Sequence, residues 1–197
     1  MQEFELLSLS HFLGFSICLA AIVFIPKAIQ LKPGLEDFSK YLLVILLAEY
    51  QIRSTYVETL IKGGNLLENL PLHLCDFSAI VIAVFLLTGL RPLFIFAYFW
   101  GISGAGMSIL TPDSEFAFPH YEYFATMYGH SLILLAVVFS IVNLGQRPYL
   151  RDIPKLIFYS TILLVVIYGI NYILGANYWY LNERPVSYTH LTLPTKA

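Results

Sequence analysis

A chain of 197 residues that is 58% hydrophobic and only 12% charged, with a mean hydropathy of +0.72, lies outside the composition of soluble globular domains and reads as a membrane protein. The net charge of −2 gives no basis for a polyanionic partner, so nucleic acid is excluded. Two cysteines, Cys18 and Cys75, supply no disulfide framework; Cys18 reads as a small buried hydrophobe, with a bridge between the two as the weaker alternative.

A transmembrane helix needs about 20 mostly apolar residues. Reading for that length predicts an all-α, polytopic helix bundle with six spans: His11–Leu31, Phe38–Glu58, Leu70–Thr88, Leu93–Leu110, Tyr121–Asn143 and Leu156–Ala176. The N-terminus carries Glu3 and Glu5 where a secretory signal would be basic, and it lacks a small-x-small cleavage site, so the first span is expected to be retained. Glu49, Gln51 and Arg53 interrupt the second span, but Glu49 and Arg53 lie four apart on one helical face and can pair there.

Lys27, Lys32 and Lys40 accompany the end of span one and the start of span two, Arg91 follows span three, and Arg147, Arg151 and Lys155 follow span five. The other side has only Lys62 and Arg184, with Arg53 inside a span. The positive-inside rule then predicts a multi-pass cell-membrane protein with its N-terminus outside and the 111–120 connection, which has no cation, also outside. Residues 1–185 form a single helical domain on this reading. The tail Val186–Ala197 (VSYTHLTLPTKA) bears no relation to what precedes it and resembles a translated sequencing adapter, so it is read as non-native.

The stretch Leu70-Pro71-Leu72-His73-Leu74-Cys75-Asp76 feeds an imidazole, a thiol and a carboxylate into the start of span three. Charged groups cost about 2.5–3.5 kcal/mol at the bilayer centre, so ionisable residues within spans are expected to line a bundle interior or cavity. Counting 1.5 Å per residue from Leu70 puts Cys75 roughly 8 Å deep, where a thiolate can attack a phospholipid ester. His130, nine residues into span five and about 13 Å deep, is the candidate base. Tyr123, Thr126 and His130 recur at helical spacing as one polar stripe, and Asp76 can orient an imidazole, either His73 or His130. Each has a plainer reading: Cys75 as a packing residue, His130 as interhelical glue, Asp76 as a carboxylate satisfied by its neighbours.

Ala97, Gly101, Gly104 and Ser108 form a small-residue stripe that reads as close helix packing. Thr111-Pro112-Asp113 ends span four, because a residue before proline is driven out of the helical region. Thr111, Asp113 and Glu115 face the same mouth as Cys75, where a substrate headgroup would sit, although a solvated acidic turn is the simpler account. No metal motif is present and no cofactor is expected. Asn171, one turn from the end of span six, either lines the cavity or bonds a neighbouring helix, and Tyr178, Trp179 and Tyr180 form an interfacial belt.

The set LPLHLCD (70–76), Trp100-Gly101 with Gly104-Ala105-Gly106, LTPD (110–113), His130 and Asn177-Tyr178-Trp179-Tyr180-Leu181-Asn182-Glu183-Arg184-Pro185 resembles the YwaF-type bacterial integral membrane proteins, relatives of the eukaryotic transmembrane acyltransferase family that remodels ether phospholipids. The resemblance covers His11 to Pro185. It implies transfer of a fatty acyl chain through a cysteine with a histidine base, roles that match Cys75 and His130, and a seventh helix after Pro185 where the adapter-like tail stands. The expected function is therefore a lipid acyltransferase or thioesterase-like enzyme acting on membrane phospholipids, with Cys75, His130 and Asp76 catalytic and His73, Asp113, Thr111, Asn171 and Tyr123 binding substrate. A small-solute transport or binding protein, or a scaffold whose polar residues only fix packing, are the alternatives.

Overall fold

The structure, a computed structural model, describes residues 4–6, 8–32, 34–114 and 116–183. The expected tail artefact and seventh helix, together with Glu115, lie outside the described residues. Its helices are α1 (Leu9–Gln30), α2 (Leu35–Tyr56), α3 (Leu74–Thr88), α4 (Arg91–Trp100), α5 (Gly106–Leu110), α6 (Tyr121–Val142) and α7 (Ile153–Leu174). A π-helical turn, Gly101–Ala105, joins α4 to α5, so that the pair forms one rod, and another, Val57–Ile61, extends α2. The all-α bundle of six rods is as expected from sequence.

Successive rods run in opposite directions, and polar contacts mark the two ends. At one end Lys62 meets Glu122, His11 meets the Leu110 carbonyl, and Tyr180 meets Asp113. At the other, Gln30 Nε2 donates to the Val142 carbonyl, and Arg91 donates to both oxygens of Asp152 at 3.0 and 2.7 Å. The first is called here the mouth. Helix α6 occupies the centre, with Met127, Ile133, Ala136, Val137 and Phe139 buried against α1 to α5. Lipid tails are as apolar as leucine, so burial of these side chains does not by itself drive association; close packing and interhelical hydrogen bonds do. Gly101 shows the packing: a Cβ there would lie 3.2 Å from Ile133 Cγ2.

Among the described residues four rods, Leu9–Gln30, Arg91–Leu110, Tyr121–Val142 and Leu150–Leu174, are long and apolar enough to cross a membrane. Helix α2 differs because it carries charge, and the structure shows how that charge is held. Arg53 Nε donates to Glu49 Oε1 at 2.6 Å, as the four-residue spacing predicts. Two tyrosines of α6 complete the pair: Arg53 Nη1 donates to the Tyr121 hydroxyl at 2.7 Å, and the Tyr128 hydroxyl donates to Glu49 Oε2 at 3.3 Å.

The third rod departs from expectation. Its helix begins at Leu74, not Leu70, and is 15 residues long. His73 is extended, with ψ 158°, and its N–H donates to Asp76 Oδ2 at 2.9 Å, closing the first turn from outside. Cys75 is therefore the second helical residue, nearer the mouth than a count from Leu70 implies.

Helix α7 stands at the rim. Its ties to the bundle are aromatic and polar: Trp100 Nε1 donates to Ser160 Oγ at 3.0 Å, Tyr159 meets Phe96, and Ile167 is buried beneath Leu70, Leu72 and Phe77.

Candidate functional site

The chain closes over the mouth after α7. Gly175, at φ 65°, stops the helix in the left-handed conformation that glycine adopts without penalty. Asn171, one turn back and 1% exposed, turns its amide on the returning chain: Nδ2 donates to the Tyr178 carbonyl at 2.9 Å, and Oδ1 accepts the Tyr178 N–H at 2.8 Å. Residues 177–183 then form a strap. The Tyr178 hydroxyl donates to the Leu67 carbonyl at 2.6 Å and accepts the Leu70 N–H at 3.1 Å, while Trp179 Nε1 donates to the Leu72 carbonyl at 2.9 Å. Trp179 and Tyr180 hold positive φ, 60° and 52°, a conformation costing about 1–2 kcal/mol per residue, which these bonds offset.

The strap fixes the 70–76 segment. The His73 ring lies 5.2 Å from the Tyr178 ring and 5.6 Å from the Tyr180 ring, and Tyr180 reaches Asp113 Oδ2 at 3.4 Å, joining the 111–114 loop to the same surface. Thr111 leaves the helical region at φ −134°, as its place before Pro112 predicts, and its hydroxyl donates to the Met107 carbonyl at 3.0 Å.

Cys75 is a free, half-buried thiol. It faces the wall made by the π turn and α5: a Cβ on Gly104 would lie 3.3 Å from its sulphur, and the Ser108 hydroxyl, one turn on, donates to the Gly104 carbonyl at 3.0 Å. The small-residue stripe thus serves two neighbours, Gly101 admitting α6 and Gly104 admitting Cys75. No hydrogen bond joins Asp76 to an imidazole among the described residues. One carboxylate oxygen takes the His73 N–H and the other accepts Gln51 Nε2 at 3.0 Å, so the group ties α2 to the start of α3.

His130 is on α6, and its Nδ1 lies 2.8 Å from the Thr126 carbonyl. A carbonyl only accepts, so Nδ1 carries the proton and Nε2 is left with the lone pair of a neutral imidazole. The polar stripe of α6 divides in two. Tyr123 turns to α1, where its hydroxyl meets His11 Nδ1 at 3.1 Å while His11 Nε2 donates to the Leu110 carbonyl at 3.1 Å. His11 and Tyr123 are both buried, and they lock α1, α5 and α6 together.

Sequence reasoning missed Tyr50, Gln51 and Gly129. The Tyr50 ring occupies the space above Gly129 so completely that a Cβ there would overlap its ring carbons. Adjacent Gln51 reaches Asp76. The Tyr50-Gln51 step is therefore the junction of α2, α3 and α6, with Cys75-Asp76 on one side and Gly129-His130 on the other. The signal was the glycine beside His130, in mid-helix, where glycine costs about 1 kcal/mol relative to alanine and calls for a packing reason. An open groove of about 390 Å³, lined by Gln51, Ile52, Thr55, Tyr56 and Pro71, runs along α2 beside the same junction.

Antiparallel apolar helices, a charged pair neutralised between two of them, and polar groups gathered at one end define a multi-pass membrane protein. The chain belongs to the TMEM164 family, whose model matches residues 3–196; that match specifies this family and not the YwaF type. It is also similar to an uncharacterized protein of Treponema pallidum (strain Nichols), 29% identical over 137 residues, which are 69% of this chain and 57% of that protein. The chain thus aligns with little more than half the length of that relative. No solved structure matches.

Proposed function

We propose that the protein is a membrane-embedded lipid acyltransferase or thioesterase-like enzyme in which Cys75 attacks the acyl ester of a phospholipid and His130 is the base. The observation that carries this is the tautomer of His130. With Nδ1 committed to the Thr126 carbonyl, the only free ring nitrogen, Nε2, is the one able to take a thiol proton. The resemblance of the 70–76, 100–106 and 110–113 motifs to transmembrane acyltransferases supports the same chemistry.

Other groups have supporting parts. Asp76 holds Cys75 in the first turn of α3 through His73 and Gln51. The mouth residues His73, Asp113 and Thr111 stand where a lipid headgroup would rest, beneath the strap. The mainly apolar groove beside Pro71 is the lateral route for the acyl chain. Asn171 and Tyr123 act at a distance: both polar atoms of Asn171 serve the strap, and Tyr123 serves the α1 lock. The cation distribution supports a cell-membrane protein with its N-terminus and the mouth on the outer side.

The test is to reconstitute the purified protein in vesicles with a diacylphospholipid carrying one isotope-labelled acyl chain. Mass spectrometry is expected to find that chain on Cys75 as a hydroxylamine-labile thioester, absent from Cys75→Ala and strongly reduced in His130→Ala. Labelled lipid left intact, with no adduct, would overturn the proposal.

A further inference from the structure

At the end of the bundle opposite the mouth, residues 146–155 carry the chain from α6 into α7. Asp152 is the only acid in this stretch, and it is fully engaged. Its two oxygens accept Arg91 at 3.0 and 2.7 Å, and Oδ2 also accepts the Tyr149 N–H at 2.9 Å. Arg147 spends Nη1 on the Ile141 and Gln146 carbonyls at the end of α6. Arg151 and Lys155 are left over: both are exposed, and neither makes a hydrogen bond or ion pair among the described residues.

These two cations are held together without a counter-ion. Arg151 lies over the Tyr149 ring, 4.8 Å from its centre, and Arg91 lies over the same ring at 5.1 Å. Lys155 follows Arg151 by four residues, a spacing at which like charges on a helix repel. The apolar rod begins at Leu150, so at 1.5 Å per residue both cations stand within roughly 8 Å of its start, at headgroup depth. Leu150 is 85% exposed and Tyr149 48%, an apolar and an aromatic flank suited to the boundary between acyl chains and headgroups. The anionic group available at that depth is a phospholipid phosphate.

We propose that Arg151 and Lys155, set on the Tyr149 ring at the start of α7, bind the phosphate of an anionic phospholipid in the leaflet on that side. The site is independent of the acyl-transfer proposal. Arg91, fixed by Asp152, steadies the ring on which Arg151 lies, so the uncommitted guanidinium is presented in one place. Its N–H groups and the Lys155 ammonium donate to the phosphate oxygens in charge-assisted bonds, and Leu150 rests among the acyl chains. A free phosphate ion would have no use for that apolar flank.

Native mass spectrometry of the purified full chain, delipidated in a nonionic detergent, tests the site with phosphatidylglycerol, phosphatidylcholine or inorganic phosphate added. Wild type is expected to retain phosphatidylglycerol at least about 10-fold more tightly than phosphatidylcholine, and Arg151→Gln/Lys155→Gln to weaken that retention about 30-fold. Lys27→Gln/Lys40→Gln removes the same charge from α1 and α2 and is expected to bind as wild type does. Equal retention of the two lipids, undiminished binding by the Arg151→Gln/Lys155→Gln protein, or an equal loss in Lys27→Gln/Lys40→Gln overturns the site. Inorganic phosphate bound as tightly as phosphatidylglycerol overturns the lipid as its occupant. Arg151→Gln alone, expected to weaken retention about 5-fold, carries the same test if the double variant fails to fold.

Discussion

Replacing Asn171 with leucine tests the strap directly. The substitution preserves side-chain volume but removes both partners of Tyr178, whose N–H and C=O are bonded at 2.8 and 2.9 Å by a residue only 1% exposed. Each main-chain group left buried without a partner costs about 1–3 kcal/mol. Two groups give about 2–6 kcal/mol, and because a short strap can lift and rehydrate, the lower part of that range, about 2–4 kcal/mol, is expected. Tyr178→Phe, which deletes the bonds to Leu67 and Leu70 from the other side of the same residue, is expected to cost about 1 kcal/mol. Both changes free one segment, so together they should cost less than their sum by at least about 0.5 kcal/mol. The protein has two tryptophans, and in a Trp100→Phe background the emission of Trp179 reports strap opening during denaturation with sodium dodecyl sulphate in mixed micelles. An Asn171→Leu effect below about 0.5 kcal/mol, or strict additivity of the pair, would show that the amide clamp does not hold the strap.

Gly129→Ala should displace the Tyr50 ring and destabilise the bundle by about 1–3 kcal/mol, with Tyr50→Leu in the same chain recovering part of the loss; thermal unfolding in detergent checks both. Partial burial disfavours the Lys62 ammonium, but hydrogen bonds to Glu122 and Glu58 outweigh it and raise its pKa above the ordinary lysine value. Its contribution is therefore present below the ordinary lysine pKa and lost as pH rises through the higher folded value, so Lys62→Met and wild type should converge in stability only on the alkaline side of that value. In a chain lacking Cys18 and Cys75, a membrane-impermeant maleimide should label Asn65→Cys but not Gly145→Cys in intact cells. The opposite pattern would reverse the orientation and place the mouth on the inner side.

The sequence carried the bundle because apolar length is a strong signal and six runs were long enough to read. Helix ends were less accessible. Leu70 to His73 is as apolar as the helix it precedes, and only the hydrogen bond from the His73 N–H to Asp76 shows that the helix starts later. Cys75 and His130 stood out because ionisable side chains are rare in apolar runs. Asp76, ionisable, and Asn171, a neutral amide in an apolar run, also stood out, yet both proved to be tied into main-chain and amide bonds, a difference that spacing along one helix does not encode. Tyr50 was hidden among the 14 tyrosines of an aromatic-rich chain. Its position depends on a glycine 79 residues away, a contact between helices that neither local pattern reveals.

The π turn Gly101–Ala105 has a consequence for helical phase. A π turn takes up about one residue more than the α-helix around it, so positions after it are rotated by roughly 100° relative to an unbroken helix. Trp100, before the turn, is in phase with Ser160 of α7; Gly104 and Ser108 are in phase with Cys75 of α3. One rod thereby addresses two neighbours that a uniform helix would set on other bearings. Regularising the turn to α pitch at unchanged length would keep Trp100 where it is and swing the glycine and serine away from the thiol, whereas deleting one residue such as Ile102 would remove the residue the turn takes up and leave Gly104 and Ser108 on their present bearing.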